Sequence, residues 1–199
     1  MKAIIFSLLG WMFLPVMDGF AKFLSDDLPI LQITWARYFF TVVFTLPIMI
    51  FFFNKQLVWS DKPKLQILRG LILLSANICF FYAISIISLA KALTLAFVAP
   101  LIVTAFSPVM LGEKVGFRRW TAVVVGFIGS LVVIRPGFVE LNFASFAALG
   151  TGILYGFYLI ITRKLSTSDN PLLTLLMTGM VGAILVSAII PFYWVKPSL

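Results

Sequence analysis

The sequence predicts an all-α integral membrane protein, and three observations carry that prediction. Of its 199 residues, 62% are hydrophobic and only 11% charged, with a mean hydropathy of +1.12. A water-soluble domain has too little interior to hide that much apolar surface. The apolar residues also fall in long runs of about 20, the length a helix needs to cross a bilayer. Finally, most basic residues sit between the runs, so the formal net charge of +8 is spread over the connections and does not form a nucleic-acid patch.

Seven runs are readable: approximately Ala3–Leu24, Leu31–Phe53, Gly70–Ser88, Ala92–Leu111, Trp120–Ile134, Ala144–Thr162 and Leu172–Trp194. The first begins like a signal peptide, with Lys2 ahead of an apolar stretch and small residues around Gly19-Phe20-Ala21. It is, however, long enough to span, and signal cores are usually shorter. It is therefore expected to stay as a helix. Pro15 removes a backbone donor and permits a bend. Asp18 and Lys22 follow four residues apart, on one helical face where they can pair. Ionisable groups at membrane depth are expensive and usually face a bundle interior or wet cavity.

The second run carries Gln32 and Arg37. At about 1.5 Å per residue, Asp18 and Arg37 each fall roughly 6–8 Å outside the midplane, so they are expected to meet in the outer half of the bundle. In the third run Asn77 lies near the midplane, where an amide must find a partner on another helix or in water. Tyr82 lies further along it. Pro100 sits near the middle of the fourth run, a break that membrane helices tolerate when neighbours satisfy the freed carbonyl. Gly126 and Gly129 mark the fifth run. The sixth carries a GxxxG at Gly152 and Gly156, a pattern that lets helices approach closely, with Tyr155 and Tyr158 beside it.

Charge in the connections sets the orientation. Lys2, Lys55, Lys62, Lys64, Arg69, Lys114, Arg118, Arg119, Arg163 and Lys164 fall on one side, ten of the fifteen basic residues. Asp26, Asp27, Lys91, Arg135, Glu140 and Lys196 make the other side nearly neutral. The positive-inside rule then places the N-terminus in the cytoplasm, with Trp59 and Trp120 at the inner interface and Trp35 and Trp194 near the outer one.

A faint repeat joins two stretches about 142 positions apart. Leu24-Ser25-Asp26-Asp27-Leu28-Pro29 compares with Leu165-Ser166-Thr167-Ser168-Asp169-Asn170-Pro171. In each, a helix ends in Leu-Ser, an acidic turn follows and proline opens the next helix. The repeat unit would hold five helices, residues 1–137. Because five is odd, the second copy must enter from the opposite face, as in the inverted repeats of secondary transporters. Residues 138–199 supply two helices of that copy, so the chain is expected to be either part of a ten-helix protein or a short variant.

The segment from Asp18 through Arg37 resembles the first two helices of EamA-type members of the drug/metabolite transporter superfamily. Phe81-Tyr82-Ala83-Ile84-Ser85, Leu89-Ala90 and Phe97-Val98-Ala99-Pro100-Leu101 resemble that family's third and fourth helices. Leu111-Gly112-Glu113-Lys114, Arg119-Trp120, Gly126-Phe127-Ile128-Gly129 and Val133-Ile134-Arg135-Pro136-Gly137 resemble the rest of its first repeat. The resemblance implies two inverted five-helix repeats carrying small organic metabolites by alternating access. The branch resembles proteins associated with S-adenosylmethionine or riboflavin uptake, and others associated with export.

Other functions are less well supplied. Histidine is absent, which excludes Ser–His proteolysis, and a two-aspartate site lacks its second intramembrane acid. Cys79 is the single cysteine, so neither an internal disulfide nor a His- or Cys-based metal cluster is available. No cofactor is expected. A channel would want a polar stripe or charged ring along a pore. The reading is thus a non-enzymatic carrier in the inner membrane, with a small-molecule substrate, lipid as surroundings, no nucleic acid and a homodimer as an open alternative; a non-transporting scaffold is the rival. Asp18, Lys22 and Arg37 are the expected polar anchor for substrate. Asn77, Tyr82, Tyr155 and Tyr158 are expected lining residues, and Pro15 and Pro100 bending points.

Overall fold

The computed structural model describes residues 2–52, 60–134 and 142–196. Among these the regular structure is helical throughout: α1 (Lys2–Leu24), α2 (Ile30–Phe52), α3 (Pro63–Ile86), α4 (Leu89–Ala96), α5 (Ala99–Leu111), α6 (Phe117–Ile134), α7 (Phe143–Leu165) and α8 (Pro171–Ile189), closed by a 3₁₀ turn at Ile190–Phe192. Five helical spans in the described residues are long and apolar enough to cross a membrane: Ile30–Phe51, Pro63–Ile86, Leu89–Leu111, Phe143–Leu165 and Pro171–Phe192. The protein is an all-α, multi-pass membrane protein.

Helices start where local chemistry satisfies their free amides. Pro63 and Pro171 sit in the first turns of α3 and α8, where a missing N–H costs nothing. The Asn142 and Asn170 side chains accept from Ser145 N and Leu172 N, capping α7 and α8. The apolar pattern of the sequence places the start of the third run at Gly70. The structure begins it at Pro63, which moves Arg69 out of the connection and into the helix.

The fourth run is interrupted near its middle. Pro100 has no amide for the carbonyl of Ala96, and its ring crowds that oxygen. The run accordingly divides into α4 and α5 around Phe97 and Val98, leaving Pro100 in the first turn of α5. The glycines of α7 pack here. A Cβ at Gly152 would lie 2.6 Å from Ala96 O, and one at Gly156 would lie 2.7 Å from Ile102 Cβ. Only glycine lets α7 lie this close to the break. By contrast, Pro15 lies within continuous α1.

α7 packs on α3, α4 and α5, while α8 packs on α2 and α3. Fully buried alanines at 83, 92 and 148 bring α3, α4 and α7 together at one end of the bundle.

The connections sort onto two ends. At one end Ser60 donates to Asp169, and Glu113 binds Arg163 at 2.7 Å and Arg119 at 3.8 Å. At the other, Gln32 makes paired bonds to the backbone of Val195 (3.0 and 3.1 Å), and Trp35 meets Trp194 edge-on at 5.6 Å. Most of the basic connections that the sequence assigns to one side therefore gather at one end. Lys55, Trp59, Arg135, Pro136, Gly137 and Glu140 lie outside the described residues.

Candidate functional site

The interior between α1, α2, α3 and α7 collects polar groups from each. α1 supplies Asp18; α2 supplies Arg37 and Tyr38; α3 supplies Asn77; α7 supplies Tyr155 and Tyr158. Arg37 lies within electrostatic reach of Asp18, Tyr38 and Tyr155, and Tyr155 within reach of Asp18. Asp18 and Arg37 thus occupy one neighbourhood, as their depths in the sequence implied. Tyr155 and Tyr158, three residues apart on one face, stack at 5.5 Å with 23° between their planes. The guanidinium carbon of Arg37 sits 5.9 Å from the centre of the Phe81 ring. Among the described residues, no ion pair within 4.0 Å joins Asp18 to Lys22 or to Arg37.

The expected pairing of Asp18 with Lys22 is therefore corrected. The ammonium of Lys22 donates instead to the carbonyl of Ile84, in the last turn of α3. The last four carbonyls of a helix lack internal partners, and a cation is favoured there by the helix dipole. Lys22 thus ties α1 to the end of α3. Asn77 donates to the Tyr38 hydroxyl at 2.6 Å, so its amide joins α3 to α2. Tyr82 is placed apart from the Asp18 group. It meets Phe143 edge-on at 5.8 Å and lines an apolar crevice of 560 Å³ with Ile30, Ile78, Cys79 and Phe146.

Arg69, which the sequence pattern places in a connection, is a second polar centre. It is only 4% exposed, and its guanidinium touches two other helices. Nε donates to Thr162 Oγ1 (2.7 Å), and Nη2 to the Tyr158 hydroxyl (2.8 Å), both on α7. Nη1 donates to the Thr174 carbonyl (2.9 Å) and to Thr178 Oγ1 (2.6 Å), both on α8. Every one of these acceptors is a neutral oxygen. Next to it, Gln66 Nε2 donates to Asp169 Oδ2 (2.6 Å) and Thr174 Oγ1 (3.2 Å). Burial alone would raise the Asp169 carboxyl, but hydrogen bonds from Ser60, Gln66, Ser168 and the Asp61 amide hold it below its ordinary 3.8. The signal was present as spacing: Tyr158/Thr162 and Thr174/Thr178 are pairs four apart, and Gln66/Arg69 three apart, each on one helical face.

A multi-pass helical membrane protein with an acid, a base and tyrosines inside the bundle is the class this arrangement defines. The stretch 1–135 matches the model of the EamA-like transporter family, and the chain belongs to that family. Among curated relatives it is 26% identical to an S-adenosylmethionine uptake transporter of Rickettsia prowazekii, over 91% of this chain and 61% of that protein. It is 26% identical to the S-adenosylmethionine uptake transporter of Rickettsia felis, over 96% and 66%. It is also 25% identical to a riboflavin transporter of Vibrio cholerae, over 78% and 53%. The chain thus spans between about half and two thirds of the length of these relatives. No solved structure matches it.

Proposed function

We propose that the protein carries a small polar organic metabolite across the cytoplasmic (inner) membrane by alternating access, with its N-terminus in the cytoplasm. One observation supports this above the others: Asp18 and Arg37 share the bundle interior without pairing to each other. Such a pair offers a counter-charge to each end of a zwitterionic solute, and the stacked Tyr155 and Tyr158 suit a flat ring. Arg37 and Asp18 anchor the substrate in this reading. Tyr155 and Tyr158 line it, Lys22 and Asn77 hold the walls, and the break at Pro100 supplies the bending point. S-adenosylmethionine and riboflavin, taken from the relatives' names, are the first substrates to try.

The inverted-repeat layout, residues 1–137 followed by two helices of a second copy, belongs to the same proposal. In its support, α1 and α7 are both 23 residues long. The serine after each helix also bonds the carbonyl of the basic residue three back: Ser25 to Lys22 at 2.6 Å and Ser166 to Arg163 at 2.8 Å.

Counterflow of labelled solute into proteoliposomes is the test, because a carrier exchanges solute across the membrane whereas a scaffold does not. Asp18→Asn is expected to abolish counterflow while the protein still inserts and purifies normally. Wild-type rates in that variant would remove the anchor.

A further inference from the structure

We propose that Arg69 is a positioning residue that closes one end of the bundle and reports the state of the site through Tyr158. This rests on the carrier reading above and adds to it a part that reading does not require. The guanidinium joins α3 to α7 and α8 by four hydrogen bonds, all to neutral oxygens. A buried cation without a carboxylate is held only as long as those bonds compensate for its lost hydration. When α7 and α8 draw away from α3, water reaches the guanidinium and replaces the same bonds. Closed and open arrangements are therefore near in free energy, which a switching element needs. A carboxylate partner would deepen the closed state, and a leucine would leave nothing to gain on opening.

Tyr158 links this closure to the site. Its ring stacks on Tyr155, within reach of Asp18 and Arg37, while its hydroxyl accepts from Arg69. A solute that shifts the tyrosine stack therefore pulls on the Arg69 contact. Below it, Ser60, Gln66 and Asp169 join the connection before α3 to the one before α8, so the closure continues to the end of the bundle.

The test uses the full chain in oriented membrane vesicles, with Cys79→Ser removing the native thiol and Tyr155→Cys placing a reporter in the site. A membrane-impermeant maleimide is applied from each side. With Arg69 present, labelling from the side where α3 begins should be slow. Arg69→Gln should raise it on the order of tenfold, the effect of a comparable shift in the open population. Arg69→Lys should fall between, since an ammonium keeps the charge but cannot reach both helices. Labelling from the opposite side should not rise.

Thr162→Val together with Thr178→Val provides a second route that leaves the charge in place, and should accelerate labelling in the same one-sided way. Equal acceleration from both sides would mean a loosened bundle, and unchanged rates would mean no closure; either result overturns the proposal. Labelling needs no substrate. One-sided acceleration without counterflow in the unsubstituted protein would sink the carrier reading alone, and counterflow in the unsubstituted protein with unchanged labelling would sink the closure alone.

Discussion

Asp169 shows how one side chain settles what its burial opposes. Enclosure disfavours the carboxylate, yet its hydrogen bonds hold it ionised below the ordinary range. The folded pKa is depressed, so its stabilising contribution is full above the ordinary 3.8 and fades as pH falls through the folded value. Thermal melting of the purified protein should lose stability on the acid side of pH 4, and Asp169→Asn should flatten that limb. At the Tyr38–Asn77 contact, removal of the hydroxyl by Tyr38→Phe strands a buried amide. A loss of about 1–3 kcal/mol is expected, read as a drop in melting temperature. Lys22 teaches the complementary lesson. A charge four residues from an acid does not choose the acid when an unpartnered helix carbonyl lies closer.

At the scale of elements, the fit of α7 against the α4–α5 break decides the packing. Gly152→Leu would drive a side chain into the Ala96 carbonyl and should destabilise by about 1–3 kcal/mol or more. Pro100→Ala restores the missing amide and lets the helix run on through Phe97 and Val98. It should straighten the span and slow any transport that bends there, measured as counterflow rate with insertion unchanged. Much of this scale was legible beforehand. The runs, the GxxxG and Pro100 are local patterns, set by helix geometry and the properties of proline and glycine. Arg69 was not legible as a centre, because its acceptors lie on helices α7 and α8, far along the chain. A basic residue near a helix start reads as interfacial until the partners around it are known. The neighbours of Tyr82 were hidden in the same way: its contact with Phe143 depends on where α7 docks on α3.

For the whole molecule, Glu113, Arg119, Arg163 and the Ser60–Asp169 contact gather at one end, and the charge in these connections predicts that this end is cytoplasmic. Reporter fusions in the connection between α5 and α6 should be active only in a cytoplasmic format, whereas fusions between α1 and α2 should show the reverse. The opposite pattern would invert the orientation and leave the helical packing as it is.

The buried guanidinium also has a consequence in time. Thr162 lies 93 positions after Arg69 and Thr178 109 positions after it. At ordinary synthesis rates, α3 therefore enters the membrane roughly 5–20 s before its arginine has anything to bind. Through that interval the arginine must reach the interface along its own stem, holding α3 shallower than it finally sits. A nascent chain halted after Ile134 should show this, with Arg69 nearer to water in a glycosylation-mapping series than in the finished protein. Synthesis of α7 and α8 would then draw the helix inward, so helices made later would set the depth of one made well before them.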